Sequence, residues 1–134
     1  MIKVANALQV NLRPEDIEIS HKLKGREGKR PIIAKFCSHK TKTKLYRERT
    51  KLRSVKVADI FPSYAAAVTE SNEDRIYINE NLTPYRRDVL KEANQRKKNK
   101  QLASVWTLDG KIYAKTSPDG QRFCIFSTED LNNI

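Results

Sequence analysis

The chain has 134 residues, 38% of them hydrophobic, with 27 Lys and Arg against 16 Asp and Glu and a formal net charge of +11. That is room for one domain or two very small ones with a thin core, and no apolar run approaches the roughly 20 residues of a membrane span. The charge says nothing of fold, but it favours a polyanionic partner, with nucleic acid ahead of an anionic membrane.

The cations are unevenly placed. Residues 22–53 hold 13 Lys and Arg against 2 acids, and residues 86–100 hold 7 against 2. The rest of the chain is acidic on balance, so the two basic blocks read as directed surfaces.

The opening "MIKVANALQV" shows helical spacing over residues 2–10, with Val4 and Leu8 on one face. It lacks the basic segment and unbroken apolar core of a signal peptide. An intracellular, reducing compartment, cytoplasm or nucleus, is expected. Cys37 and Cys124 have no Cys or His nearby at metal-ligand spacing, so they read as free thiols, and no metal or cofactor is expected.

After "RPED", Ile17, Ile19, His21 and Leu23 alternate with polar residues, which is strand periodicity. "KGREGKR" at 24–30 is a basic turn and "PIIAKF" at 31–36 a second strand, together a β-hairpin. Ile32, Ala34 and Phe36 are expected in the core, with Pro31, Ile33 and Lys35 outward. Ser38 is placed to cap a helix over 39–53. Its apolar line is narrow (Thr41, Leu45, Tyr46, Leu52), and its other faces carry Lys40, Lys42, Lys44, Arg47, Arg49, Lys51 and Arg53 with Glu48 as the sole acid. Such uncompensated repulsion favours a bound polyanion over plain solvation.

Residues 55–74 read as a surface connection interrupted by Pro62, with one short helical turn at 64–68. "RIYIN" at 75–79 reads as a strand with Ile76 and Ile78 inward and Arg75 and Tyr77 outward. Thr83 and Pro84 then open a helix to about residue 98, with Tyr85, Val89, Leu90 and Ala93 on its apolar side. Arg86 and Arg87 lie elsewhere on it. "RKKNK" at its end also suits the helix dipole, which gives those cations a structural reason.

"ASVWTL" and "KIYAKT" flank Asp109-Gly110, the signature of a type I′ hairpin turn. "SPDG" at 117–120 turns the chain into "RFCIFS". A two-residue loop sets the register: 105 opposes 114, 106 opposes 113 and 107 opposes 112. With a four-residue second turn, 114 opposes 123 and 112 opposes 125. One face of this meander carries Val105, Ile112, Ala114, Phe123 and Ile125, a core face for the 84–98 helix. The other carries Trp106, Lys111, Tyr113, Lys115, Arg122 and Cys124. Aromatics interleaved with cations suit single-stranded nucleic acid, whose bases stack while its phosphates meet charge. The bland alternative is a cross-strand pair that only stabilises the hairpin.

No Gly-rich phosphate loop, nucleophile elbow or zinc-protease motif occurs, and no His or Cys has a triad setting. The chain reads as a non-enzyme.

The ordered set "RPEDIEISHKLKG", "KRPIIAKF", a basic helix, "EDRIYINENLTPYRRDVLKEA" and "VWTLDGKIYAK" resembles the C-terminal region of LINE-type retrotransposon first-open-reading-frame proteins. It also resembles the related baculovirus few-polyhedra (FP) protein C-terminal domain. The resemblance runs from about residue 3 to 131. It implies an α+β fold: an RNA-recognition-motif-like unit at 1–79, followed by a small C-terminal domain at 80–134. In the first unit a helix, a β-hairpin, a basic helix and a strand are expected, with the motif's first strand falling before residue 1. The second unit is a helix packed on a three-stranded antiparallel meander. The resemblance further implies RNA packaging and nucleic-acid chaperoning. The motif's base-stacking positions would fall on Pro31 and Ile33, which are not aromatic, so phosphate contacts should dominate there.

The leading expectation is a sequence-tolerant module for single-stranded RNA or DNA. Phosphate contacts would come from Lys35, Lys40, Lys42, Lys44, Arg47, Arg49, Arg53, Arg75, Arg86, Arg87, Lys111, Lys115 and Arg122, and stacking from Tyr77, Trp106 and Tyr113. Neither a membrane nor a small-molecule substrate is expected. The alternative is a protein-interaction or assembly module, self-association included, that uses the basic surface or open sheet edges.

Overall fold

A computed structural model describes residues 1–25, 31–62 and 75–134. The fold is α+β and divides into two compact units, Met1–Asn79 and Glu80–Ile134.

The first unit opens with helix α1 (Ile2–Ala7), shorter than the expected 2–10. Gln9 adopts a left-handed φ of 57°, which folds the Val10 N–H back onto the Ala5 carbonyl at 2.9 Å and ends the helix. The reversal turns Leu8, Val10 and Leu12 inward, where they join Val4, Ala5, Leu45 and Leu52 in one core. A short 3-10 turn at Pro14–Asp16 follows. It is closed by the Arg13 N–H donating to the Asp16 carboxylate at 2.9 Å.

Strands β1 (Ile17–Lys22) and β2 (Ile32–Phe36) pair antiparallel, as the alternation predicts, with Ile17 opposite Phe36 and Lys22 opposite Ile32. A register irregularity lies between Ile17 and Ile19. Only the base of the hairpin, Ile17 and Phe36, packs on the core. Farther out the expected burial fails. Ile32 is 53% exposed and Ile19 57%, while Ile33, expected outward, is half-buried. Among the described residues nothing covers the outer length of this two-stranded sheet, so alternation there marks faces without burying either one. Residues 26–30 of the basic turn lie outside the described residues.

Helix α2 (His39–Arg47) starts where expected but ends early, passing into a 3-10 helix over Glu48–Ser54. At the junction the Arg49 side chain donates to the Tyr46 carbonyl at 2.8 Å, an acceptor that a continuing α-helix would use for Thr50. Leu45, Tyr46 and Leu52 are buried, as the narrow apolar line predicts. Ser38 holds the cap position without a side-chain bond.

Helix α3 (Val57–Ile60) begins at Lys56, whose N–H donates to the Asp59 carboxylate at 2.9 Å. The helical turn expected at 64–68 lies outside the described residues. "RIYIN" is not a strand. Arg75 makes a single antiparallel bridge with Lys56, and residues 76–79 carry no regular structure. Its faces nevertheless follow the alternation: Ile76 and Ile78 pack on the core, and Tyr77 is 79% exposed.

In the second unit helix α4 (Pro84–Lys98) has the expected bounds. The Thr83 hydroxyl accepts the Arg86 N–H at 3.3 Å, and Pro84 fills the first helical position. Val89 and Ala93 are buried, with Leu90 beside them. Tyr85 is exposed instead, because the core begins one turn later.

Strands β3 (Ser104–Leu108), β4 (Lys111–Lys115) and β5 (Phe123–Ile125) form the meander in that spatial order. Asp109 and Gly110 have φ of 52° and 73°, the paired left-handed residues of a type I′ turn. Every expected pairing is present, including Trp106 with Tyr113 and Ile112 with Ile125. Ile112, Ala114 and Ile125 are buried against the helix, with Val105 and Phe123 at the margin. A final helix, α5 (Thr128–Asn132), was not anticipated. It places Leu131 in the same core. Its signal was legible as Ser127-x-x-Asp130, a capping-box spacing.

Candidate functional site

The candidate residues fall into separate groups, one set on each unit. In the first unit Lys40, Lys44, Arg47 and Arg53 are exposed on α2 and the 3-10 helix that follows it, and Lys42 is half-buried. These cations flank the Leu45–Tyr46–Leu52 line that anchors the segment to its core. Arg49 is partly withdrawn from this surface: its guanidinium lies 3.7 Å from the centroid of the Tyr46 ring. Lys35 pairs with Glu18 across the hairpin at 3.0 Å, an exposed ion pair of small energetic consequence. Arg75 is half-buried, and Tyr77 presents its ring two residues along.

In the second unit the sequence-predicted face is assembled by the hairpin register. Trp106 and Tyr113, directly opposite each other, stack with ring centroids 5.9 Å apart and planes at 22°. The Arg122 guanidinium lies 5.1 Å from the centroid of the Tyr113 ring. The result is an indole, a phenol ring and a guanidinium in adjacent contact across the meander. Lys111 is exposed on the same face, and the Lys115 ammonium reaches the Pro118 carbonyl at 3.4 Å. Alternation puts Cys124 here too, opposite Tyr113 and half-buried.

The scaffold beneath is tied at its turn. The two carboxylate oxygens of Glu80 accept the N–H groups of Asp109 and Gly110 at 2.8 and 2.9 Å. Arg86 donates to the Gly110 carbonyl. Arg86, nominated from sequence as a phosphate contact, is therefore occupied in holding the turn, whereas Arg87 is exposed. Arg96 is engaged in a similar way. It donates to the Leu131 carbonyl at 2.6 Å and to Asn132, joining α4 to α5. Sequence reasoning had no signal for either bond, since both partners lie more than twenty residues away.

Two carboxylates titrate below their ordinary range. Asp130 accepts the Phe126 and Ser127 N–H groups at 2.8 and 3.0 Å, and these bonds stabilise its charged form. Asp16 is lowered chiefly by its bond from the Arg13 N–H. Both are capping groups. Among the described residues no cluster of three or more His, Cys, Asp or Glu is placed to hold a metal ion. No helix among them is long and apolar enough to cross a membrane.

One exposed aromatic residue at the end of the sheet was missed. Phe126, directly after β5, is 65% exposed. The signal was present in the sequence, because continuing the alternation past buried Ile125 carries it to the side of Tyr113 and Arg122.

No curated protein and no solved structure matches the chain. Residues 83–134, from the cap of α4 to the end of the chain, match the family model for baculovirus FP protein domain 2.

Proposed function

We propose that the chain is a sequence-tolerant binding module for single-stranded nucleic acid, RNA in the first instance, from a retrotransposon-type ribonucleoprotein or nucleic-acid chaperone. The observation that carries the reading is the Trp106–Tyr113–Arg122 stack flanked by Lys111 and Lys115. Ring faces for bases beside cations for phosphates are the two elements that sequence-tolerant single-strand binding requires. The exposed cations of α2 and the following 3-10 helix, with Lys35, Lys42, Arg75 and Arg87, add sequence-independent attraction. Tyr77 offers a further ring. The likeness of residues 1–79 to an RNA-recognition-motif-like unit and of the whole chain to LINE-type proteins belongs to this reading. So do an intracellular location and the absence of a catalytic step or cofactor.

The test is a titration of the full chain with single-stranded RNA, single-stranded DNA and duplex at two salt concentrations. Trp106, the sole tryptophan, reports binding by fluorescence quenching. The expected result is quenching by single strands, with log K falling by about 0.7 per phosphate contact for each decade of salt. Undetectable or salt-insensitive binding overturns the reading.

A second reading, a protein-interaction or assembly module, draws on a different observation. The β1–β2 hairpin exposes Ile19 and Ile32, and its sheet has two strands among the described residues. Open edges of that kind accept added strands. Light scattering coupled to size exclusion distinguishes the two: self-association without oligonucleotide binding selects this alternative.

A further inference from the structure

The geometry points to Phe126 as a second base-stacking platform, which makes the outer face of the meander a track for an opened-out strand of at least two nucleotides. This inference rests on the single-strand reading above and extends it to a residue outside the predicted site.

Tyr113 is already covered, by the Trp106 ring on its β3 side and by the Arg122 guanidinium. That leaves the half-buried Trp106 as the ring of the stack for a base. A one-base site would bind weakly and would not distinguish a strand from a nucleotide. Phe126 supplies the missing ring. It directly follows β5, whose last residue Ile125 pairs with Ile112 and is buried in the core, so extending the alternation one residue past the strand assigns Phe126 to the opposite, outer face. Continuing that register by one residue sets it beside Lys111, which is exposed. Its backbone is held, since its N–H donates to the Asp130 carboxylate at 2.8 Å at the cap of α5. It is thus an exposed ring on a fixed backbone.

The spacing selects the ligand. Phe126 lies two strands across and two residues along from Trp106. At about 4.8 Å between strands and 3.3 Å per residue, that is about 12 Å. Successive bases along a duplex strand are about 3.4 Å apart. Neighbouring bases that remain stacked cannot reach both rings, and a duplex keeps its ring faces inside. A flexible single strand can splay two bases onto the platforms, with the intervening phosphate near Lys111. The charged residues at the strand positions of this face and at Arg122 are cations, Lys111, Lys115 and Arg122, against the one Asp130 carboxylate bonded to the Phe126 N–H, a balance that favours a polyanion over an apolar peptide as the occupant.

The experiment compares the wild-type chain with Phe126→Ala and Phe126→Tyr, using uridine monophosphate and an oligouridylate length series at low salt. Binding is read by Trp106 quenching and by anisotropy of a labelled decamer. Phe126→Ala should weaken decamer binding about tenfold or more, leave the monophosphate unchanged and still allow Trp106 to be quenched. Phe126→Tyr should retain affinity. Circular dichroism should be the same for all three, since the ring is exposed. If Phe126→Ala binds every length as tightly as wild type while Trp106 is still quenched, this inference fails and the single-strand reading stands. If no oligonucleotide quenches Trp106 or shifts the anisotropy, both fall.

Discussion

Two of the antiparallel hairpins, β1–β2 in the first unit and β3–β4 in the second, have similar sequence character and different fates. β1–β2 and β3–β4 both alternate apolar with polar residues. In the second unit one side of the alternation is buried: Ile112, Ala114 and Ile125 lie under Val89 and Ala93 of α4. In the first unit the alternation is present but burial stops at Ile17 and Phe36, and Ile19 and Ile32 face solvent. A period of two establishes which side chains share a face. Whether that face is covered depends on a third strand and a helix lying across it, and among the described residues only the second hairpin has both.

The sharpest way to break this contrast is to truncate matched isoleucines. Ile112→Ala should destabilise the second unit by about 2–5 kcal/mol, because it leaves a cavity in a closed core. Ile32→Ala should change stability by no more than about 0.5 kcal/mol, as for an exposed site. Denaturant unfolding followed by Trp106 fluorescence reads the first, and far-UV circular dichroism the second. A large loss on Ile32→Ala would mean that the hairpin of the first unit is covered in solution, which would favour the assembly reading.

A smaller effect tests the helix that makes the second hairpin a core. Thr83→Ala removes the side-chain acceptor for the Arg86 N–H and should lower the stability of the second unit by about 1 kcal/mol. Thr83→Ser should restore it. The corresponding cap of α2 has no side-chain bond at Ser38, so Ser38→Ala should cost less. Equal losses would remove this difference between the units.

The smallest effect is in acid. The Asp130 carboxyl titrates below its ordinary value because the folded chain gives its charged form two N–H bonds. A lowered folded value contributes stability that is complete above the unfolded value, near pH 4, and is lost as pH falls through the folded one. Thermal unfolding should therefore show a shallow decline below about pH 4 that Asp130→Asn flattens. A decline unchanged in the variant would assign it to other carboxylates.

Legibility follows the range of the interactions involved. Asp109-Gly110 demands a left-handed pair, and a two-residue loop leaves one register, so the Trp106–Tyr113 pairing and the whole core face of the meander could be read from adjacent letters. The bounds of α4 were equally readable, because Thr83 and Pro84 are local start signals. The end of α1 was not, since nothing in "NALQV" announces that Gln9 turns left-handed. The end of α2 was not readable either, since the segment passes into a 3-10 helix at Glu48 with no glycine or proline to mark the change. "RIYIN" has the alternation of a strand and the inward isoleucines of one, but its only pairing among the described residues is the Arg75–Lys56 bridge. A strand is made by its neighbour's hydrogen bonds, and no sequence period supplies a neighbour.

The candidate site divides the same way. The sequence by itself determined that the chain is strongly basic, where its cations cluster, and that Trp106, Tyr113, Lys111, Lys115 and Arg122 share one face of a meander. These follow from composition, a turn and a period of two. Tertiary structure alone decided which of those groups are still open to a ligand. It engaged Arg86 with the Gly110 carbonyl, brought the Arg122 guanidinium onto the Tyr113 ring and left Phe126 exposed. The reason is geometric. Whether a side chain can meet a ligand depends on which partners, distant in the chain, come within a few ångströms, and packing sets that distance.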